Sequence, residues 1–348
     1  KAAVRGGTTT IVDFGTQYAG ESLADGLRNW HEKADGKCSC DYSFHMSISD
    51  WNPSVSRELD DMMEEGITSF KLYMTYDTQV DDRTIFEILR RLKEVGGITG
   101  VHCENSGMIA ALQAEAKAEG RMGVESHPAT RPAAAEAEAI DRLLRLAEVV
   151  DIPVIVVHLT CKEGYDVIME ARRRGQKVYA ETCPHYLLLT DKALESQDAD
   201  YRMNPPLREE EDRLALIEGL KDGTLDAIAT DHAPHTPQEK ADFRKAPNGS
   251  IGMETSLAAT LTALEGVLTL PQILEKMSTA PARILGIPAG TLQVGANADV
   301  VLFDPQREWV VDPEKLHGKS KNTPFKGMKL KGKVALTIFR GRIVYDGR

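Results

Sequence analysis

The stretch Gly66-Ile-Thr-Ser-Phe-Lys-Leu-Tyr-Met-Thr-Tyr76 decides how the rest of the sequence is interpreted. This apolar run, rich in β-forming residues and bounded by Gly66 and Asp77, predicts a parallel strand that is buried on both faces. Lys71 stands inside that strand, where an unpaired ammonium is rare. It could reach water at the strand end or pair with a carboxylate. Alternatively, Lys71 carries a carbamate derived from CO2, a two-oxygen anion that can bridge two metal ions.

The composition is that of an ordinary folded chain. The sequence has 348 residues, of which 42% are hydrophobic and 27% charged, and this length suits one large α/β barrel or two domains. A net charge of −11 argues against a nucleic-acid or anionic membrane surface, because both bind through basic patches. We therefore expect neither partner.

Cysteine usage and hydropathy indicate where the protein works. The five cysteines show no disulfide framework, and their odd number suggests reduced thiols. No stretch approaches the ~20 apolar residues that a membrane span requires, and no signal peptide is visible. We predict a cytoplasmic location.

Short β-rich runs alternate with segments of helical apolar spacing, a pattern that predicts a parallel sheet. The predicted strands are Thr8–Asp13, Asp41–Met46, Ser69–Met74, Ile98–His102, Val154–His158, Val178–Glu181 and Ala227–Thr230. The predicted helices between them are Val55–Glu65, Asp82–Val95, Ala133–Val149, Gly164–Arg174 and Glu209–Lys221. Seven strands are one short of a TIM-like (β/α)8 barrel. Since the chain opens at Lys1 without a Met, we expect the first strand to lie upstream of Lys1.

Four candidate metal ligands fall in or at the ends of these strands. Lys71 lies within its strand, while His102, His158 and Asp231 end or follow theirs. Any single histidine is commonly a hydrogen-bonded structural residue. Four such groups at one end of four parallel strands instead indicate a metal site, and their nitrogen and oxygen donors suit zinc or a similar divalent ion.

The chain changes character after the last of these strands. Residues 233–251 are rich in Pro, Gly and charge, which is typical of an active-site loop. Helices are predicted over Glu254–Gly266 and Pro271–Gly286. Residues 1–288 are thus predicted to form the barrel. Residues 289–348 would contribute to a small β-sandwich domain, with strands at Asp299–Phe303, Trp309–Val311 and Val334–Val344.

Several motifs resemble the hydantoinase/dihydropyrimidinase branch of the cyclic amidohydrolases. They are Gly6–Phe14, Asp41–His45, Phe70–Tyr76, Val101–Asn105 and Lys240–Gly249. Other segments look more like dihydroorotase or allantoinase, namely Glu181–Tyr186, Met203–Arg208, Ala229–His235 and Ser320–Phe325. The resemblance implies hydrolysis of the cyclic amide of hydantoins or dihydropyrimidines to N-carbamoyl amino acids.

The resemblance also implies a role for particular residues. Lys71 matches the carboxylated lysine that bridges two metal ions, usually zinc, and His102 and His158 match two histidines on one of them. Asp231 matches the aspartate that binds the other ion and shuttles the proton. Tyr76 matches the tyrosine that stabilises the oxyanion. A homotetramer is common in the family.

Two departures from the family pattern accompany these matches. Asn204 and Asn248 stand where the family holds the cyclic amide through main-chain groups, but hydantoinases commonly have Ser at the first of these positions. The family's first strand ends in a His-x-His pair that completes the second metal site, and none of the nine histidines here forms one. We expect that pair upstream of Lys1.

Three functions therefore stay open from the sequence. A hydantoinase or dihydropyrimidinase is favoured by the strand motifs and, modestly, by Phe14, Tyr73 and Phe243, which suit apolar ring substituents. Dihydroorotase or allantoinase activity is the first alternative. A non-catalytic scaffold of the same fold is the second, although such proteins have generally lost metal ligands that are present here.

Overall fold

A parallel sheet of seven strands forms the centre of the computed structural model, which describes residues 1–348. Each strand pairs with the next along the chain, from β1 to β7. The strands are β1 (Thr10–Thr16), β2 (Asp41–Ser47), β3 (Ser69–Tyr73), β4 (Ile98–His102), β5 (Val154–Val156), β6 (Val178–Thr182) and β7 (Ala227–Ile228). All seven predicted strands are thereby confirmed, and one of them, Ile98–His102, matches at both ends.

Helices connect the strands and cover the sheet. They are α1 (Ala2–Arg5), α2 (Leu23–Ala34), α3 (Pro53–Glu64), α4 (Asp82–Val95), α5 (Ser106–Ala118), α6 (Ser126–Ala129), α7 (Ala133–Val150), α8 (Lys162–Arg173), α9 (Pro184–Leu188), α10 (Glu210–Asp222), α11 (Ser256–Ala263), α12 (Leu270–Leu274) and α13 (Ala280–Leu285). Short 3₁₀ helices lie at Asp191–Ser196, Ala199–Tyr201 and Pro313–Lys315. No helix combines the length and apolar composition needed to cross a bilayer.

Helix α4 shows why the sequence signals work locally. The Asp81 side chain caps its first turn by accepting a hydrogen bond from the Thr84 amide, and Gly96 ends it in the left-handed conformation with φ 79°. Its buried residues recur at helical spacing and face the sheet: Ile85, Ile88, Leu89 and Leu92. The predicted bounds of this helix are therefore correct.

The main core lies between the sheet and its helices and contains 43 buried residues. Strand β3 contributes Phe70 and Leu72 to this core, and both are fully buried. Lys71 lies between them in sequence, so its side chain points to the opposite face of the sheet. That opposite face is also shielded, since Lys71 is only 2% exposed.

Some predicted boundaries were wrong. Strand β5 ends at Val156 rather than at His158, which lies beyond the ladder with φ 40°. Strand β7 ends at Ile228, two residues before Thr230. The predicted single helix over Pro271–Gly286 is interrupted by a π-turn at Glu275–Thr279. Helices α2 and α5 were not predicted.

A second sheet of three antiparallel strands follows the parallel sheet in sequence. Its strands are β8 (Val300–Val310), β9 (Lys329–Phe339) and β10 (Arg342–Asp346), in the order β10-β9-β8. Thr337 in β9 donates a hydrogen bond to the carbonyl of Val4 at 2.7 Å, which links this sheet to α1.

The strand divisions predicted for this region were wrong. The segments Asp299–Phe303 and Trp309–Val311 belong to one strand, because β8 is an edge strand whose irregular register between Asp304 and Glu308 accommodates Pro305. The segment predicted as one strand over Val334–Val344 turns at Gly341, with φ 77°, and pairs with itself.

Candidate active site

Strands β3 and β4 bring the first predicted site residues together. In their parallel register Tyr73 lies opposite His102, and Lys71 lies opposite Gly100. Because Gly100 has no side chain, the Lys71 side chain meets no bulky group at the paired position. His102 is the last residue of β4 and is 2% exposed.

The two predicted histidine ligands are in direct contact. His102 Nδ1 lies 2.9 Å from His158 Nε2, and their ring centroids are 4.6 Å apart. Burial holds the pKa of both imidazoles well below the ordinary value, so both are neutral at physiological pH. His158 Nδ1 is buried without a hydrogen-bond partner. Neutral imidazoles with converging nitrogens are the form in which histidine binds metals.

Lys71 is buried without a hydrogen bond or ion pair to its ammonium. Its Nζ lies 5.0 Å from the Phe14 ring centroid and 5.1 Å from that of Tyr73, within the range of a cation–π interaction. Burial lowers the pKa of Lys71, and the carboxylates of Asp231 and Glu181 oppose that effect. A lysine in this environment is more easily deprotonated than an exposed one.

Asp231 follows β7 and is half-buried. Burial raises the pKa of its carboxyl group, and the charge of Lys71 limits that rise. A carboxylate whose protonated form is favoured in this way is suited to accept a proton.

Tyr76 connects the histidines to one of the predicted substrate-binding residues. Its ring centroid lies 5.0 Å from that of His102, and its hydroxyl accepts a hydrogen bond from Asn204 Nδ2 at 3.0 Å. Asn204 Oδ1 is buried and has no partner. Burial raises the pKa of Tyr76, so the phenol keeps its proton and can donate it in a hydrogen bond.

Asn248 makes no hydrogen bond to Tyr76 but is hydrogen-bonded to the loop that carries Asn204. Its Oδ1 accepts a hydrogen bond from Arg202 Nε at 3.0 Å, and its carbonyl oxygen contacts His235 Nε2 at 3.0 Å. Arg202 lies two residues before Asn204. The two predicted substrate-binding asparagines therefore belong to neighbouring, hydrogen-bonded loops.

Backbone strain is concentrated at this site. Six non-glycine residues have positive φ, and three of them are predicted site residues: Tyr76 at 73°, His158 at 40° and Asp231 at 43°. Left-handed backbone conformations are unfavourable for such side chains and persist where the surrounding structure or a function requires them. Their clustering here supports a functional site.

Comparison with known proteins agrees with this geometry. The sequence profile of the amidohydrolase family matches residues 1–344. The chain belongs to the amidohydrolase family. This amidohydrolase is 37% identical to a D-hydantoinase of Ralstonia pickettii over 99% of the chain and 78% of the relative, and 38% identical to a D-hydantoinase of Geobacillus stearothermophilus over 99% and 76%. Its fold superimposes on the crystal structure of dihydropyrimidinase from Brevibacillus agri NCHU1002 with a TM-score of 0.96, at 39% identity over 99% of this chain and 78% of that one.

Membership of this family implies a divalent metal centre, and the amidohydrolase site fits one in part. Two nitrogen ligands of a tetrahedral zinc ion lie ~3.3 Å apart when each bond is ~2.0–2.1 Å, close to the 2.9 Å between the His102 and His158 nitrogens. No group of three or more His, Cys, Asp or Glu side chains forms a metal site here. Lys71 lies close enough to His102 and His158 for its charge to lower the pKa of both imidazoles further.

Two buried residues of the amidohydrolase site were not singled out from the sequence. Glu104 Oε2 lies 2.7 Å from His102 Nε2 and accepts a hydrogen bond from Arg131 Nη1 at 2.5 Å. A signal for Glu104 existed, because residues two apart along an extended chain point to the same side. Arg131 gave no such signal, since it reaches the site from the loop before α7.

Proposed function

We propose that this amidohydrolase hydrolyses the cyclic amide bond of hydantoins and dihydropyrimidines to give N-carbamoyl amino acids. The observation that carries the proposal is the contact between the neutral pair His102–His158 and the Tyr76–Asn204 pair. The first pair suits a metal ion, and the second presents a phenol donor beside it. The D-hydantoinase relatives support the same substrate class.

The architecture proposed for this function is a TIM-like barrel. We assign the seven parallel strands and their helices, residues 1–288, to a (β/α)8 barrel whose chemistry lies at the carboxyl ends of the strands. Residues 289–348 would contribute a separate small β domain. The consecutive strand order and the shared location of His102, His158 and Asp231 after their strands support this assignment.

Four residues are proposed to hold two zinc ions. His102 and His158 would supply imidazole nitrogen, Asp231 a carboxylate oxygen, and Lys71 two oxygens as a carbamate. Support for the carbamate comes from the burial of Lys71, its lack of any ion pair and its lowered pKa, because the neutral amine is the form that reacts with CO2. When bound, such ions acidify water and polarise the amide carbonyl.

Residues of this chain would then stabilise the developing charge, transfer the proton and orient the substrate. Tyr76 donates its hydroxyl proton in a hydrogen bond to the former carbonyl oxygen as negative charge develops there. Asp231 accepts a proton from the attacking water and returns it to the ring nitrogen as the carbon–nitrogen bond breaks. Water is thus added across the amide, with its oxygen on carbon and its hydrogen on nitrogen. Asn204 and Asn248 would orient the ring.

The test is ring opening measured on four substrates in parallel: dihydrouracil, a 5-substituted hydantoin, dihydroorotate and allantoin. We expect turnover of the first two and little of the others. Preference for dihydroorotate or allantoin would overturn the proposed substrate class and favour the segments Met203–Arg208 and Ala229–His235 as the better guide to specificity. Protein that binds no metal ion and opens none of the four rings would favour the scaffold alternative.

Mass spectrometry of the intact chain tests the carbamate separately. We expect the mass of one CO2 on Lys71 under non-acidic conditions and its loss after acidification. An unmodified lysine in active, metal-loaded enzyme would contradict this part of the proposal. Assembly as a homotetramer and a cytoplasmic location stay predictions.

A further inference from the structure

Glu104 is a fully buried carboxylate placed between a proposed metal ligand and a cation. It is 0% exposed, and one of its oxygens, Oε2, is shared by His102 Nε2 at 2.7 Å and Arg131 Nη1 at 2.5 Å. Arg131 is itself 7% exposed, and its guanidinium carbon lies 5.6 Å from the centroid of the Tyr76 ring. The Glu104–Arg131 pair therefore contacts both His102 and the ring of Tyr76.

The arrangement determines which nitrogen of His102 is free. A guanidinium can only donate hydrogen bonds, so Glu104 Oε2 acts as the acceptor toward Arg131 Nη1. His102 Nε2 must then carry the proton that Glu104 accepts. In a neutral imidazole the other nitrogen, Nδ1, keeps its lone pair. It is Nδ1 that faces His158 Nε2.

We propose that Glu104 is a positioning residue that, together with Arg131, fixes the tautomer and ring orientation of His102 so that Nδ1 is presented as a metal ligand. This inference rests on the proposed function, because it assumes that His102 binds a metal ion. Carboxylates that accept from the second nitrogen of a ligating histidine restrict ring rotation and increase the basicity of the nitrogen that binds the ion.

The chain supplies a matched control in Glu136. This residue is 2% exposed and pairs with Arg208, whose Nη2 lies 3.0 Å from Glu136 Oε2. Its other hydrogen bonds come from Thr160, and no hydrogen bond joins it to His102 or His158. Glu136→Gln therefore disturbs an equally buried Glu–Arg pair without removing a partner of a proposed ligand.

The experiment compares wild type, Glu104→Gln, Glu104→Ala and Glu136→Gln. Zinc affinity is measured by competition with a chelator, and the visible spectrum is recorded after cobalt loading. We expect the zinc dissociation constant to rise about 10-fold in Glu104→Gln and about 100-fold in Glu104→Ala, with a shifted cobalt band. Glu136→Gln should bind zinc like wild type. If Glu104→Ala does not fold, Glu104→Gln decides.

The outcomes separate this inference from the proposed function. Equal zinc affinity and cobalt spectra in wild type and Glu104→Gln, or an equal loss in Glu104→Gln and Glu136→Gln, would overturn the positioning role. Wild-type protein that binds zinc and opens none of the four cyclic amides would refute the proposed function while leaving the role of Glu104 to be judged by the affinities.

Discussion

Lys240 joins the two loops that carry the proposed substrate-binding asparagines, and its removal should weaken substrate binding. The residue is 9% exposed, and its ammonium donates to the carbonyl oxygens of Pro247 at 2.8 Å, Ala199 at 3.0 Å and Arg202 at 3.4 Å. Ala199 and Arg202 lie in the loop before Asn204. Lys240→Met keeps most of the apolar stem and removes all three donors.

The size of the destabilisation expected from Lys240→Met depends on which carbonyl oxygens lose their only hydrogen-bond donor. The Ala199 oxygen also accepts from the Arg202 amide at 3.0 Å, and the Arg202 oxygen accepts from the Gly249 amide at 2.9 Å. The Pro247 carbonyl oxygen has no second hydrogen bond from a backbone amide. A hydrogen bond to a charged group contributes about 1.5–3 kcal/mol. We therefore expect the loops to be destabilised by about 2 kcal/mol, which corresponds to about a 30-fold change in their ordering equilibrium.

The assay is steady-state ring opening of a 5-substituted hydantoin, together with thermal unfolding. If substrate binds only the ordered loops, KM rises by up to about 30-fold while kcat changes less. Lys245→Met is the control, since Lys245 is exposed in the same loop and surface substitutions stay within about 0.5 kcal/mol. A KM within about twofold of wild type in Lys240→Met would refute the reasoning.

Three further predictions concern other contacts. Lys71→Ala should lose bound metal and activity, and a short carboxylic acid should restore part of both; metal analysis with and without the acid checks this. Asn204→Ser should lower kcat about 3- to 10-fold, because one neutral hydrogen bond to the Tyr76 hydroxyl is lost; an unchanged kcat would contradict it. Burial lowers the pKa of His127 to about 3, so the unfolded chain takes up this proton first as pH falls below the ordinary value of about 6.5. The variant His127→Gln has an amide that can still donate to the Met203 carbonyl. Relative to this variant, wild type should therefore lose about 2 kcal/mol of unfolding free energy between about pH 7 and pH 5. A difference in unfolding free energy between the two proteins that is the same at both pH values would exclude this.

Local patterns predicted the parallel sheet well. Helix α4 and strand β4 were predicted to the residue because capping groups, apolar spacing and β-branched content act over a few neighbouring positions. The antiparallel sheet was predicted less well. Whether Pro305 ends a strand depends on whether that strand is an edge, and only the pairing of β8 with β9 decides it.

The same distinction applies to the candidate site. The sequence itself determined which residues could carry chemistry: a lysine inside a buried strand, and His102, His158 and Asp231 at or beyond the ends of three strands. Their roles as ligands stay predictions. The sequence also indicated the family, which the comparisons confirm.

Only the tertiary structure decided which of these groups meet and in what state. His102 and His158 are 56 positions apart, and Asn204 and Tyr76 are 128 apart, yet each pair is within hydrogen-bonding distance. Such contacts depend on the register and packing of whole strands and helices, which no local pattern encodes. Burial in the assembled fold also sets the pKa of Lys71 and of both histidines, because the cost of charging a group depends on everything that surrounds it.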